Sequence, residues 1–169
     1  MAETLESFSQ RFGALEKSAF LAAIRCPILI DTAYSGGLSG LKPGFRTATI
    51  DGNEALALRL TAEQREVFMI KKREDAAFSG LVSLGRTSNL DVVIPRTGIS
   101  KFHAYFSETP SGFQLTDKDS TNGTCVAGNR LTPDLPVLLN HEAAVQFANH
   151  SFTFLMPSRL FELLRSKRV

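Results

Sequence analysis

The sequence contains no tryptophan and only two cysteines and two tyrosines in 169 residues. Cys26 and Cys125 form neither a C-x-x-C pair nor the dense cysteine framework of a small secreted domain, so we expect buried free thiols. The three histidines, His103, His141 and His150, lack the spacing that places several ligands on one metal ion. No run approaches the roughly 18 apolar residues that a transmembrane helix needs. These absences predict no metal, no cofactor and no membrane contact.

The sequence also lacks a large excess of either positive or negative charge. The 19 Lys and Arg residues nearly balance the 17 Asp and Glu residues, which leaves a formal net charge of +2. A dedicated nucleic-acid binder concentrates basic residues on one face, so nucleic acid is not an expected partner. The opening residues Met1–Glu6 are acidic and lack the basic and apolar regions of a secretory signal. We therefore expect a cytoplasmic protein.

Residues 1–60 are predicted to form an N-terminal extension of unknown role. Apolar side chains recur at steps of three and four from Leu5 to Ala22, which predicts one amphipathic helix that ends before Pro27. Two β-prone runs, Ile28–Ile30 and Phe45–Ile50, follow. The extension could cover a face of the next domain or mediate dimerisation, and the oligomeric state is not predicted.

A glycine-containing loop, Ser35–Pro43, separates these two runs and invites comparison with a phosphate-binding loop. Counted from Gly36, that motif needs glycine where Leu41 stands and Ser or Thr where Pro43 stands. The loop is therefore predicted to be a flexible connector.

From residue 61 to residue 157 the sequence consists of short β-prone runs separated by turn residues, which predicts an all-β sandwich or barrel. After Pro157, residues Arg159–Arg165 have the periodicity of a short amphipathic helix within the C-terminal segment 158–169. The predicted strands are Glu66–Lys72, Leu81–Gly85, Asp91–Ile94, His103–Glu108, Phe113–Asp117, Thr124–Val126, Ala143–Phe147 and Ser151–Leu155.

Three motifs in predicted loops stand out in this β-rich region. They are Leu84-Gly85-Arg86, then Ser100-Lys101-Phe102-His103, then the run from Asp117 to Thr124 that contains Ser-Thr-Asn-Gly-Thr. In order and separation they resemble the forkhead-associated (FHA) domain over approximately residues 62–156. The resemblance implies an FHA-type β-sandwich, flanked here by an N-terminal helical and β extension and a short C-terminal helix. It also implies loops at one end that bind phosphothreonine peptides.

The resemblance assigns five residues to phosphopeptide binding. Arg86, Ser100 and Lys101 would bind the phosphate, while Thr121 and Asn122 would face the peptide, with Asn122 bonded to its backbone. These residue types suit the task, because a phosphothreonine carries up to two negative charges and several acceptor oxygens. An arginine supplies a permanently charged planar fork, a serine a hydroxyl donor and a lysine a second cation.

Three further residues are implied to support the site. Gly85 and Gly123 would allow tight backbone geometry, and His103 would brace the loops by hydrogen bonds. The sequence departs from the family pattern at Lys101, where arginine is common. A lysine keeps the charge but loses bidentate geometry, so weaker phosphate affinity is expected. A second departure is Asn140-His141, where the family often has Gly-Asp in a turn.

The sequence therefore predicts a phosphothreonine-peptide-binding adaptor in protein–protein signalling, with threonine-phosphorylated proteins as partners and a Ser/Thr kinase acting elsewhere. An enzyme is not expected. Ser100 and His103 are three residues apart and would point to opposite faces of an extended chain, and no acid is placed to orient the imidazole. Arg96 and Arg130 are candidates to favour acidic residues beside the phosphothreonine.

Two alternative functions stay open at this stage. The protein could be a phosphate-independent scaffold that docks a partner through apolar surface. It could also be an intramolecular switch, since Thr4 lies between Glu3 and Glu6 near the N-terminus and, once phosphorylated, would offer a ligand to the protein's own site.

Overall fold

The computed structural model describes residues 3–32, 65–74 and 80–166. The predicted strand Phe45–Ile50 and the loop Ser35–Pro43 lie outside the described residues. Within the described residues, two mostly antiparallel sheets form a β-sandwich, and three short helices accompany them. The elements are β1 Glu3–Thr4, α1 Leu5–Phe12, α2 Lys17–Ala23, β2 Ile28–Asp31, β3 Glu66–Met69, β4 Val82–Gly85, β5 Val92–Val93, β6 Ala104–Thr109, β7 Gly112–Asp117, β8 Thr124–Val126, β9 Asn129–Arg130, β10 Val137–Leu138, β11 Glu142–Phe147, β12 His150–Leu155 and α3 Pro157–Ser166.

The larger sheet has the strand order β1-β3-β2-β12-β11-β8-β9, and the smaller sheet has the order β10-β7-β6-β4-β5. Among the described strands, all pairs are antiparallel except β4 with β5. The main core joins buried residues of the two sheets, such as Phe106 and Leu115 from one and Phe147 and Phe154 from the other. The rings of Phe106 and Phe154 stack with centroids 6.2 Å apart. In β6 the alternation of buried and more exposed residues follows the period of two that the sequence shows.

The three helices bury a second apolar cluster with strands of the larger sheet. Ile28 and Ile30 of β2 belong to this cluster, whereas Leu29 belongs to the main core. Strand β2 is therefore buried on both faces, and this explains why its sequence begins with the unbroken apolar run Ile28–Ile30. The predicted C-terminal helix is confirmed as α3, with Leu160 and Leu163 buried in the same cluster. Within the described segments, no helix is long and apolar enough to cross a membrane.

The prediction of one continuous N-terminal helix was wrong. The chain leaves helical geometry after α1 and resumes it at α2, with Gly13 at the C-cap of the first helix. The buried stripe also shifts, because Phe20 and Ile24 are buried while Ala19 and Ala22 are exposed. Glycine is a poor helix former, and a phenylalanine removes far more apolar surface from water than an alanine. Packing on the sheet therefore overrides the apparent periodicity.

Candidate functional site

Three loops converge at one end of the sandwich and surround an open cavity of about 660 Å³. They are the β4–β5, β5–β6 and β7–β8 connections. All five residues predicted to bind a phosphopeptide line this cavity, although they come from three separate stretches of the sequence. The lining consists of Arg86, Thr97, Gly98, Ile99, Ser100, Lys101, Phe102, Asp119, Thr121 and Asn122.

The two cations of the cavity, Arg86 and Lys101, are both exposed. Among the described residues, no carboxylate forms an ion pair with either side chain, and Asp119 is the one acidic residue of the lining. Main-chain contacts bring the two cations together, because the Arg86 N–H donates to the carbonyl oxygen of Ser100 at 3.0 Å. The site therefore has positive charge that can pair with an anion from outside.

Gly85 ends β4 against the loop that carries Lys101. A Cβ at this position would lie 2.3 Å from the carbonyl oxygen of Lys101 and 2.8 Å from Cδ1 of Leu90. The glycine is needed for this close approach of two backbones and not for a left-handed conformation. The close contact places Arg86, the next residue, beside the loop of Ser100 and Lys101.

Ser100 joins the β5–β6 loop to the β7–β8 loop. Its Oγ accepts a hydrogen bond from the N–H of Thr121 at 3.1 Å, and the two side-chain hydroxyl oxygens lie 3.4 Å apart. Two hydroxyl groups from different loops thus line the cavity side by side. Both are suited to donate to an anionic oxygen.

His103 is fully buried beneath these loops. Its Nδ1 accepts a hydrogen bond from the main-chain N–H of Ser100 at 3.0 Å, and its Nε2 lies 3.2 Å from the carbonyl oxygen of Gly123. This pairing requires a neutral ring with the proton on Nε2. Burial lowers the pKa of His103, although the contact with Gly123 and the charge of Asp117 oppose the effect. The imidazole binds the Ser100 N–H and not its hydroxyl, so the two do not form a nucleophile and base.

Asp117 is a buried hub of the β7–β8 loop that the sequence reasoning did not identify. Its carboxylate accepts from the N–H of Ser120 at 3.0 Å, from the Ser120 hydroxyl at 2.7 Å and from the Thr124 hydroxyl at 2.5 Å. Burial alone would raise the pKa of Asp117, but these hydrogen bonds outweigh it and lower the pKa. The signal was present as Asp-x-x-Ser, a spacing typical of side-chain-capped turns.

Asn122 and Gly123 complete the β7–β8 loop. Asn122 is exposed, and its Nδ2 donates to the carbonyl oxygen of Gly98 at 2.9 Å, which ties the loop to the β5–β6 connection. Gly123 has a φ of +83°, and a Cβ there would lie 2.5 Å from the Arg130 guanidinium. Gly123 is therefore needed both for its left-handed backbone and for the side chain packed against it.

The structure also bears on Arg96 and on the pair Asn140-His141. Arg96 does not face the cavity as a free cation, because its guanidinium binds the carboxylates of Asp31 and Glu66. The idea that it selects acidic peptide flanks was therefore wrong. The unusual pair Asn140-His141 lines a different cavity, so this departure from the family pattern does not alter the candidate site.

Residues 82–148 match the family model of the FHA domain. This segment contains every candidate site residue, so the part of the sandwich that carries the three convergent loops is similar to an FHA domain. The recognition made from the three loop motifs is thereby confirmed.

Relatives of the segment include several mycobacterial proteins. An ABC transporter ATP-binding/permease protein of Mycobacterium tuberculosis is 42% identical over 52 residues, which is 31% of this chain and 6% of the transporter. Mycobacterium tuberculosis EmbR in complex with a low-affinity phosphopeptide is 28% identical, with a TM-score of 0.42, and the match covers 45% of this chain and 20% of EmbR. An FHA domain solved in work on phosphothreonine-dependent FHA interactions is 15% identical, with a TM-score of 0.47, and covers 77% of this chain and 96% of that domain. The chain thus spans only a small part of the transporter and of EmbR.

Proposed function

We propose that this FHA domain binds a phosphothreonine peptide in the cavity of the three loops and acts as an interaction module in signalling. The observation that carries the proposal is the pair of exposed cations, Arg86 and Lys101, which have no carboxylate partner in the described part of the chain. They stand beside the hydroxyl groups of Ser100 and Thr121. Cations and hydroxyl donors around one open cavity are the chemistry that a phosphate ester requires.

The expected affinity follows from the number of charge-assisted contacts. Each such hydrogen bond contributes about 1.5–3 kcal/mol net. Two or three of them on the phosphate, with further contacts to the peptide backbone, correspond to binding in the range of about 1 μM, or roughly −8 kcal/mol. Arg86 supplies a fork for two phosphate oxygens, Lys101 a second charge, and Asn122 a side-chain amide at the edge of the cavity.

The partners we infer are proteins phosphorylated on threonine by a kinase acting elsewhere, and the domain performs no chemistry of its own. We place the protein in the cytoplasm. Cys26 and Cys125 are half-buried free thiols, a state that suits a reducing compartment.

Titration of a fluorescent phosphothreonine peptide, selected from a degenerate array, tests the proposal. Arg86→Ala should weaken binding at least about tenfold, because it removes the fork and leaves the phosphate charge less compensated. Arg25→Ala is a matched control, since Arg25 is an exposed arginine on the helical side of the molecule. The unphosphorylated peptide should bind only weakly. Equal affinity of wild type and Arg86→Ala would reject the site.

The same titration has a predicted dependence on pH and salt. The second pKa of a phosphate ester is about 6, and the dianion pairs better with two cations. Binding should therefore weaken as the pH falls through about 6 and as the salt concentration rises.

A phosphate-independent scaffold is supported by one observation. Leu138 is 50% exposed and lines a cavity of about 520 Å³ together with Phe113, Leu139 and Met156. Exposed apolar surface of this kind is typical of protein contacts. Treatment of a bound partner with phosphatase separates the two functions, because binding through this cavity would survive it.

The intramolecular switch through Thr4 requires a local rearrangement. Thr4 lies in β1, which pairs with β3, and its hydroxyl accepts a hydrogen bond from the N–H of Ser7 at the start of α1. Occupation of the protein's own cavity would require β1 to detach from the sheet. Kinase-treated wild type and Thr4→Ala should then differ in affinity for an external peptide, and equal affinities would exclude the switch.

A further inference from the structure

Arg96 lies between the candidate site and strands β2 and β3 of the larger sheet. It lies in the β5–β6 loop, four residues before Ser100. Its N–H donates to the carbonyl oxygen of Ile94 at 2.8 Å, and its own carbonyl oxygen accepts from the N–H of Ile99 at 3.2 Å. The backbone of Arg96 is therefore part of the turn that leads directly into the binding loop.

The side chain of Arg96 reaches from this turn to the larger sheet. One guanidinium nitrogen donates both to Asp31, at the end of β2, and to Glu66, at the start of β3. The guanidinium also lies over the ring of Phe152, with its carbon 5.5 Å from the ring centroid. Only 23% of the Arg96 side chain and 12% of the Asp31 side chain are exposed, so solvent screens the contact less than at the surface. The hydrogen bonds to Asp31 and Glu66 raise the pKa of Arg96 against the opposing effect of burial.

This contact connects the site to strands whose sequence lies far from it. Asp31 is 65 residues and Glu66 is 30 residues from Arg96 along the chain. Strand β2 pairs with β12, and β3 pairs with β1, from which α1 begins. Arg96 therefore bridges strands β2 and β3 of the larger sheet to the β5–β6 loop.

We propose that Arg96 is a positioning residue for phosphopeptide binding, and that Asp31 and Glu66 form the contact by which strands β2 and β3 fix the β5–β6 loop, called the binding loop below. This inference rests on the proposed function, because its effect is measured on phosphopeptide affinity. Arg96 does not touch the peptide. It restricts the turn before Ser100, so that the Ser100 hydroxyl stays beside Thr121 and the loop needs no further ordering when the peptide binds.

The test replaces Arg96 by methionine, which keeps an apolar stem over Phe152 and removes the charge. Arg96→Met should weaken phosphopeptide binding about five- to tenfold, and Asp31→Asn combined with Glu66→Gln should do the same. Arg96→Lys should lose only about two- to threefold, because it keeps the charge but not the planar fork.

Arg159→Met is the matched control. Arg159 also forms an ion pair, with Glu142 at 2.7 Å, and 25% of its side chain is exposed. It joins α3 to β11 through this ion pair. This variant should bind the peptide like wild type even if its melting temperature falls.

A double-mutant cycle separates positioning from a general effect on stability. If Arg96 acts through Ser100, then Arg96→Met should cost less than about twofold in affinity when Ser100 is already alanine. The backbone amide resonances of Ser100 and Thr121 should also shift in Arg96→Met and not in Arg159→Met. If Arg96→Met does not fold, Glu66→Gln replaces it in the test. The Glu66 side chain is 44% exposed, so we expect this variant to fold.

The outcomes distinguish this inference from the proposed function. Unchanged affinity in Arg96→Met and Glu66→Gln, or an equal loss with and without Ser100, would overturn the positioning role. An unchanged affinity in Arg86→Ala would instead reject the proposed site. In that case the amide resonances alone decide whether Arg96 orders the loop.

Discussion

A hydrogen bond joins the main chain of Ser100 to the imidazole ring of His103. The Ser100 N–H donates to Nδ1 of a fully buried imidazole at 3.0 Å, while Nε2 of the same ring lies 3.2 Å from the carbonyl oxygen of Gly123. A second proton on the ring would place two donors against each other at Nδ1. One neutral side chain thus connects the loop of Ser100 to the loop of Thr121 and Asn122.

This arrangement predicts a loss of stability on mild acidification. Burial lowers the pKa of His103 in the folded protein, so between that pKa and about 6.5 the unfolded chain binds a proton that the folded chain does not. The contribution of neutral His103 to the free energy of unfolding is complete above about pH 6.5. It is lost as the pH falls, by at most about 1.4 kcal/mol per pH unit. Urea unfolding at a series of pH values measures the slope. His103→Gln should remove the part of the pH slope that is due to His103. A slope that persists in full would contradict its assignment to this histidine.

A second prediction concerns the carboxylate of Asp117. Asp117→Asn should lower the free energy of unfolding by about 2–3 kcal/mol, because a buried acceptor of three hydrogen bonds becomes an amide that cannot accept them all. The lowered pKa of Asp117 means that its stabilisation is present above its ordinary pKa near 3.8 and is lost as the pH falls below it. Asp134→Asn is the control, since Asp134 forms an exposed pair with Lys118. Similar unfolding curves for the two variants would refute the role of Asp117 as a hub.

Gly85 provides a steric test of the site. Gly85→Ala places a methyl group 2.3 Å from the Lys101 carbonyl oxygen, so we expect a loss of about 1–3 kcal/mol in stability and weaker peptide binding as that loop shifts. Gly128→Ala is the matched control. It has a φ of +81° but no atom within 4 Å of the added methyl, so it should cost about 1–2 kcal/mol in backbone strain and leave binding unchanged. Urea unfolding and peptide titration of both variants decide the matter, and wild-type binding by Gly85→Ala would speak against the close approach.

Much of the sandwich could be predicted from local patterns. Strand β6 follows the side-chain alternation of the sequence, and β11 and β12 match the predicted runs to within a residue at each end. The candidate site residues came from the resemblance of three loop motifs to the FHA family, and the structure brings all five to one cavity. These signals depend on neighbours along the chain, which a sequence displays directly.

The features that the sequence did not reveal depend on distant partners. The role of Arg96 is set by Asp31 and Glu66, which are 65 and 30 residues away, and no local pattern marks them as its partners. The break between α1 and α2 likewise follows from burying Phe20 against the sheet. Asp117 was missed for a different reason, because a polar turn and a buried hub have the same local composition.

The lysine at position 101 leads to a prediction about affinity. Lys101→Arg should strengthen phosphopeptide binding about two- to fivefold, because the guanidinium can contact two phosphate oxygens where the ammonium contacts one. Arg86→Lys should have the opposite effect for the same reason. Lys118→Arg, an exposed change outside the cavity, serves as the control. Fluorescence anisotropy at two salt concentrations measures the affinities, and unchanged values for both site variants would argue against direct phosphate contact.

The boundary at residue 60 stays a prediction, and the topology offers a test of it. Strand β2 lies inside the larger sheet, between β3 and β12, and Ile28, Leu29 and Ile30 are fully buried. A fragment of residues 61–169 would lose this strand and leave two strand edges unpaired and both apolar clusters incomplete. We expect it to show no cooperative urea transition and to bind a dye that reports exposed apolar surface. Addition of a peptide of residues 1–32 should restore part of the transition. Cooperative unfolding of the fragment alone, close to that of the full chain, would instead establish residues 61–157 as an independent domain.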